Sequence, residues 1–133
     1  MTLYLLDTNI ISDLIKNPGG AVATHLESVI EDDLCTSIIV AAELRFGIEK
    51  KGTRRLAIQL ETILEDIEVV AFDEPADMNY AVIRAQLERV GTLIGGNDML
   101  VAAHAMAADA VLVTDNVREF ERVPGLRVEN WLR

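Results

Sequence analysis

Cysteine is almost absent from this sequence of 133 residues, which contains only Cys35. A disulfide within the chain is therefore excluded. The thiol lies in the short segment Leu34-Cys35-Thr36, where we expect it to be buried and inert rather than nucleophilic. Hydrophobic residues make up 50% of the chain, which excludes a disordered protein and supports a core that needs no disulfide or metal.

Long apolar runs are also missing. No segment approaches the roughly 18 apolar residues of a membrane span, and the longest candidate, residues 99–108, is short and contains His104. The apolar start of the chain follows no basic residues and ends at Asp7, unlike a signal peptide. We therefore expect a cytoplasmic protein.

Several motifs of α/β proteins are absent. The chain lacks the Gly-x-Gly-x-x-Gly turn of a dinucleotide site, and Asn9 stands where a haloacid-dehalogenase-like phosphatase needs the second aspartate of Asp-x-Asp. The paired acids and late lysine of a phospho-acceptor receiver domain are not found. The two histidines, His25 and His104, form no cluster with cysteine, and we expect them at the surface and in the core.

Positive charge is scarce, because 12 basic and 22 acidic residues give a net charge of −10. Nucleic-acid-binding proteins usually carry a basic surface, so this balance argues against such a partner. A metal ion that neutralises some acids would weaken the objection, as would basic residues gathered on one face. Lys50, Lys51, Arg54 and Arg55 do cluster in sequence, and an acidic body also suits a basic protein partner.

Short apolar strands alternate with helices along the chain. Strands are predicted at residues 2–6, 34–36, 68–71, 110–113 and 126–128, and helices at 9–16, 21–30, 38–50, 53–66, 74–90, 98–108 and 116–120. The alternation predicts one α/β domain over residues 1–133, with a short central parallel sheet covered by helices on both faces. In such sheets, functional sites form beyond the carboxyl ends of the strands, at a switch in strand order.

Four carboxylates fall where the elements of this fold can direct them at one point: Asp7, Glu43, Asp98 and Asp115. Neighbouring carboxylates repel by roughly 4 kcal/mol per pair at about 4 Å and an effective dielectric near 20. Each aspartate alone has another explanation, because each stands at or just before the start of a predicted helix and can be its N-cap. Glu43 lies in mid-helix among apolar residues, and its alternative is a buried salt bridge, for example to Arg84.

A hard divalent cation would remove this repulsion. Oxygen ligands without cysteine or histidine favour Mg²⁺ or Mn²⁺ over zinc. Such a cation can generate hydroxide from water and stabilise charge on a scissile phosphate. The four carboxylates therefore predict a metal site and, with it, phosphodiester chemistry.

Seven segments make the chain resemble a PIN-domain ribonuclease and, within that family, a VapC-type toxin of a bacterial toxin–antitoxin pair. They span nearly the whole chain and are Tyr4-Leu5-Leu6-Asp7-Thr8-Asn9, Val40-Ala41-Ala42-Glu43-Leu44-Arg45-Phe46-Gly47, Ile83-Arg84-Ala85, Ile94-Gly95 through Asp98, Ala102-Ala103-His104-Ala105, Val113-Thr114-Asp115-Asn116-Val117-Arg118-Glu119-Phe120 and Gly125-Leu126-Arg127-Val128-Glu129-Asn130-Trp131.

This resemblance implies a PIN-like three-layer α/β/α domain and a Mg²⁺- or Mn²⁺-dependent endoribonuclease. The family's acidic positions, which hold the metal and carry catalysis, correspond to Asp7, Glu43, Asp98 and Asp115. Its supporting hydroxyls correspond to Thr8 and Thr114. Arg84 is expected either to contact the phosphate or to form an ion pair with the acids.

The resemblance also implies partners. Such proteins form homodimers and are inhibited by a VapB-type antitoxin, whose C-terminal tail enters the active-site groove, often with an arginine. Their relatives cleave structured RNA, including initiator tRNA in the anticodon stem-loop. Attack by water would leave 5′-phosphate and 3′-hydroxyl ends. The alternative is a non-catalytic module that kept the fold and binds RNA or protein, against which the intact set of acids argues.

Overall fold

Five strands form one parallel sheet in the computed structural model, which describes residues 2–133. They are β1 (Leu3–Leu6), β2 (Leu34–Ser37), β3 (Glu68–Val70), β4 (Ala110–Val113) and β5 (Val128–Glu129). Their order is β3-β2-β1-β4-β5, and each neighbouring pair is parallel. The chain therefore builds the sheet outward from β1 in one direction and then, after β3, crosses to the other side of β1.

Seven α-helices and one 3-10 turn connect the strands of the described residues. The helices are α1 (Thr8–Lys16), α2 (Ala21–Leu26), α3 (Ile38–Lys51), α4 (Arg54–Asp66), α5 (Ala76–Arg89), α6 (Gly96–Ala107) and α7 (Val117–Phe120), and the 3-10 turn is Glu31–Asp33. None of these helices is long and apolar enough to cross a membrane.

The helices pack in two groups. α1 contacts α2, α3 and α4, whereas α5 packs along α6. Crossovers between parallel strands are right-handed, so connections that run in opposite directions across the sheet place their helices on opposite faces. The predicted α/β fold, a short parallel sheet flanked by helices, is confirmed.

The core is built around β1 and β4. Leu5, Leu6, Leu112 and Val113 are all at most 1% exposed, and the register pairs Leu5 with Leu112 and Leu6 with Val113. These strands are buried on both faces, which explains their continuous apolar sequence. The same register brings the residues that follow the two strands to one level at the edge of the sheet.

Four predicted element boundaries are wrong by two residues or more. α5 begins at Ala76 rather than at residue 74. α2 ends at Leu26 rather than at residue 30, because the chain then follows turns in which each N–H bonds the carbonyl three residues earlier. α6 begins at Gly96, since the N–H of Met99 already donates to the Gly95 carbonyl at 2.9 Å. β5 comprises Val128–Glu129 rather than residues 126–128.

The single thiol behaves as predicted. Cys35 is fully buried in β2. Burial, together with the negative charge of Glu68, raises the pKa of Cys35 to about 12. The thiol therefore stays protonated at neutral pH, and the prediction that the cysteine is buried is confirmed.

Leu5→Ala should lower the free energy of unfolding by about 2–5 kcal/mol, because it opens a cavity beside the central strand. Urea unfolding followed by circular dichroism measures the change. Leu93→Ala removes the same atoms from a side chain that is 45% exposed, and it should cost less than about 1 kcal/mol. Equal costs for the two variants would contradict the central position of β1.

Candidate active site

Asp7 lies at the carboxyl end of the central strand and is 4% exposed. Its backbone N–H donates to the Val113 carbonyl at 2.9 Å, its Oδ1 accepts from the Thr8 N–H at 2.8 Å, and its Oδ2 accepts from the Thr114 hydroxyl at 2.8 Å. Burial raises the pKa of Asp7, while the hydrogen bonds from Thr114 and Thr8 oppose that shift. The carboxylate is thus held in one orientation despite the cost of its burial.

Asp7 is also the N-cap residue of α1. Thr8 is already the first residue of the helix and does not cap it. The Asp7 side chain therefore both caps α1 and takes part in the site. Its Oδ1 accepts from the Thr8 N–H at the start of the helix, and its Oδ2 accepts from the Thr114 hydroxyl.

Asp98 lies in the first turn of α6 and faces three other carboxylates. Burial, a hydrogen bond with Glu119 and the negative charges of Asp7, Glu119 and Glu43 raise the pKa of Asp98 to about 7. Its carboxyl group donates to Glu119, and this bond, with one from Asn116, lowers the pKa of Glu119. Asp7, Glu43, Asp98 and Glu119 therefore form one group, which we call the acidic cluster.

Glu43 joins the acidic cluster from the middle of α3. It is half-buried, and its Oε1 lies 3.5 Å from the Thr8 hydroxyl, which donates to it. The predicted apolar surroundings of Glu43 are wrong, because Phe46 is 66% exposed and Gly47 is exposed as well. The buried face of α3 instead consists of Val40, Ala41 and Leu44.

Arg84 does not contact the acidic cluster. It is exposed on α5, and its guanidinium donates to the Tyr80 hydroxyl at 2.9 Å. The ion pairs of residues 2–133 do not include Arg84, so the suggested pairing with Glu43 is wrong. The neighbouring Ile83 points into the core at 3% exposure, and the next residue of a helix is turned about 100° away, toward solvent.

Asp115 follows β4, as predicted, but lies at the margin of the site. It is exposed, and its Oδ1 accepts from the Asn130 amide at 3.0 Å and lies 3.7 Å from the Arg133 guanidinium. The charges that raise the pKa of Asp98 come from the other members of the acidic cluster, not from Asp115.

Glu119 takes the place beside Asp98 that was expected of Asp115. It carried no predicted role, although it lies four residues after Asp115 in a segment predicted to be helical. An acid within one turn of a strand end can reach the same edge of the sheet, but the sequence does not show which of these two acids does so. Asn116 donates to Glu119 Oε2 at 2.6 Å and holds it in position.

Thr114 connects the ends of β1 and β4. Its buried Oγ1 donates to Asp7 Oδ2 and accepts from the Asn116 N–H at 3.0 Å and from the Asn9 amide at 3.4 Å. Asn9 also accepts from the Asp115 N–H at 2.9 Å. This network fixes the two loops that leave the carboxyl edge of the sheet.

The two histidines lie where they were expected. His104 is 3% exposed, with Nδ1 2.7 Å from the Ser37 hydroxyl, and burial lowers its pKa. His25 is exposed and stacks on Trp131 with ring centroids 4.2 Å apart. His104 therefore belongs to the core, and His25 belongs to the surface.

Oxygen atoms are the donors that the acidic cluster offers, and Mg²⁺ and Mn²⁺ prefer them. Two carboxyl groups as close as Asp98 and Glu119 must share a proton or face a cation, because two negative charges repel. The donor set and the raised pKa of Asp98 therefore fit a divalent cation. Within residues 2–133, no three His, Cys, Asp or Glu side chains already surround one ion position, so Glu43 and Asp98 would have to move toward the fixed Asp7 carboxylate to bind a cation.

Known proteins of similar sequence and structure match nearly the whole chain. A sequence profile of the PIN domain matches residues 4–126. The chain is 37% identical over 131 residues to ribonuclease VapC2 of Rickettsia felis, covering 97% of this chain and 98% of the relative. It is 38% identical over 133 residues to the tRNA(fMet)-specific endonuclease VapC of Salmonella typhimurium, covering 98% and 99%. The crystal structure of VapBC2 from Rickettsia felis, bound to a DNA fragment from their promoter, has a TM-score of 0.90 and 35% identity, covering 98% of this chain and 99% of that one.

In EDTA, the native state should lose stability as the pH rises from about 5 to 8. The pKa of Asp98 is about 7 in the folded protein against an ordinary 3.8. Between these values only the folded state keeps the proton on Asp98. The stabilisation of the folded state by this proton is lost as the pH rises through the higher value. Asp98→Asn should therefore show a shallower decline of Tm with pH.

Glu88→Gln is the control for this measurement, because it removes one exposed acid from α5. It should keep the wild-type slope of Tm against pH. Identical slopes for wild type and Asp98→Asn would contradict the raised pKa of Asp98.

Proposed function

The chain belongs to the PIN-domain family, and from this premise we propose that it is a VapC-type toxin, a metal-dependent endoribonuclease controlled by an antitoxin. The observation that carries the proposal is the acidic cluster at the carboxyl edge of the sheet, where the strand order switches between β1 and β4. Sites of parallel α/β proteins form at such switch points. The oxygen donors gathered there suit phosphodiester hydrolysis.

Structured RNA is the substrate class that we propose. The Salmonella typhimurium relative, 38% identical over nearly the whole chain, is a tRNA(fMet)-specific endonuclease. Initiator tRNA is therefore the first substrate to test. An enzyme with this substrate would act in the cytoplasm, as the sequence led us to expect.

Asp7, Glu43 and Asp98 would hold Mg²⁺ or Mn²⁺, with Glu119 beside them and Asp115 assisting from the margin. When bound, the cation supplies neutralisation of the charge that develops on the phosphate and activation of water. Hydrolysis with the 3′ oxygen as leaving group yields 5′-phosphate and 3′-hydroxyl ends.

The surrounding side chains prepare the acids for this task. Thr114 and the N–H of Thr8 hold both oxygens of Asp7, so this carboxylate does not need to reorganise during the reaction. Asp98 must release its proton before it can bind a cation. Glu119 accepts the hydrogen bond from Asp98 and so holds the Asp98 carboxyl group in position, while the proton leaves to solvent.

An antitoxin is the protein partner that we propose. The matched Rickettsia felis structure is a VapBC2 complex. The net charge of −10 and the acidic cluster suit a basic segment of such a partner. We also propose the homodimer that the family resemblance implies.

Asp7→Asn and Glu43→Gln should each reduce cleavage of initiator tRNA by at least about 100-fold, because each removes a fixed charge from the site. Gel analysis of the RNA in Mg²⁺ or Mn²⁺, with an EDTA blank, measures the rate and the 5′-phosphate ends. Circular dichroism should show both variants folded. Full activity in either folded variant would contradict the assignment, and an inactive wild type would favour the non-catalytic binding module.

Glu119→Gln should impair cleavage more than Asp115→Asn does. Glu119 contacts Asp98, whereas Asp115 is exposed and paired with Asn130 and Arg133. Initial rates on the same RNA at saturating Mg²⁺ compare the two variants. The reverse order would return Asp115 to the fourth acidic position that the sequence suggested.

A further inference from the structure

A second charged surface lies where α3 passes into α4. Lys50 and Lys51 stand in the last turn of α3, Arg54 and Arg55 in the first turn of α4, and all four are exposed. A chain with a net charge of −10 and 12 basic residues thus places four of them within six positions. We call these four residues the basic patch.

Internal interactions do not explain the basic patch. The ion pairs in residues 2–133 are Arg45–Glu61, Arg127–Asp109 and Arg133–Asp115, and none of them uses the patch. The lysines suit the C-terminal end of α3, but the arginines stand at the N-terminal end of α4, where the helix dipole disfavours positive charge. Like charges placed together in this way create a positive potential that attracts anions.

An exposed aromatic ring extends the basic patch toward the acidic cluster. Phe46 is 66% exposed, and the Lys50 ammonium lies 5.9 Å from its ring centroid. Glu43, Phe46, Gly47 and Lys50 follow the spacing of one helix face. A Cβ built at Gly47 would meet no atom within 4 Å, so the surface between Glu43 and Lys50 is open.

We propose that this face of α3, together with the basic patch, binds the RNA strand adjoining the scissile bond. Phe46 stacks on an unpaired base, and the patch neutralises phosphates. Lys50 lies seven positions after Glu43, about 10 Å along the helix, so one RNA strand can extend from the acidic cluster to the basic patch. The inference rests on the proposed function, because it assumes that the scissile phosphate lies at the acidic cluster.

Phosphates match the basic patch better than a protein segment does. A basic segment suited to the acidic cluster would be repelled here, whereas a nucleic-acid backbone gains charge neutralisation. Exposed aromatic rings stack on bases of any sequence, so Phe46 adds affinity without demanding a particular base. The patch therefore also answers the objection that an acidic protein is a poor binder of RNA.

The salt dependence of RNA binding tests the charges. The probe is initiator tRNA, bound to the full chain carrying Asp7→Asn in Mg²⁺ so that it stays uncleaved. Lys50→Gln should reduce the slope of log Kd against log salt by about 0.7. The double variant Lys50→Gln with Arg54→Gln should reduce it by about 0.7 more. Arg89→Gln removes an exposed charge from the end of α5 and should leave both Kd and slope unchanged.

The ring is tested separately. Phe46→Leu should weaken tRNA binding about five-fold or more, because base stacking is lost while an apolar side chain remains. Phe46→Tyr keeps an aromatic ring and should bind the tRNA as tightly as the chain with Phe46. Neither change should alter Tm appreciably, since the ring is 66% exposed.

The outcomes separate the two proposals. A wild type that fails to cleave the tRNA in Mg²⁺ contradicts the proposed function, and the binding slopes still decide the inference. The inference is overturned if the wild type cleaves the tRNA and three variants match it in both binding and cleavage: Lys50→Gln, Arg54→Gln and Phe46→Leu. The proposed function then stands. A patch that serves a protein partner would give that second result.

Discussion

Repulsion among carboxylates at the carboxyl edge of the sheet is the constraint around which this molecule is organised. The strand order places Asp7 at the end of the central strand and at the switch point, and α3, α6 and α7 bring Glu43, Asp98 and Glu119 to it. The fold tolerates this arrangement by fixing Asp7 with hydrogen bonds and by leaving a proton on Asp98. Under the proposed function, a divalent cation bound at the acidic cluster would remove this repulsion.

Charge is divided unevenly over the structure, and the division matches the chemistry of phosphodiester cleavage. The acidic cluster suits a cation and repels a bare phosphate, so a bound cation would favour the approach of RNA to it. The basic patch at the other end of α3 attracts phosphates without a metal. A net charge of −10 is therefore compatible with an RNA substrate, because the two tasks are carried by different parts of one surface.

The sequence pattern predicted the sheet and most of the helices. Continuous apolar runs mark the buried parallel strands, and capping residues, glycine and proline mark the ends of the helices. Side-chain neighbours were harder to predict. Arg84 was suggested as a partner of Glu43, but the packing of Ile83 turns it to solvent. Glu119 was missed because the position of the four-residue helix α7 determines whether Asp115 or Glu119 faces Asp98. Such choices depend on three-dimensional packing that one sequence does not display.

Calorimetric titration of the metal-free protein with Mn²⁺ near pH 6.5, in two buffers of different ionisation enthalpy, tests most directly whether the acidic cluster is a cation site. Binding should release part of a proton per ion, because Asp98, with a pKa of about 7, must ionise to become a ligand. Asp98→Asn should bind more weakly without releasing the proton, and Asp7→Asn should lose the site. Absence of binding, or binding that both substitutions leave unchanged, would contradict the account.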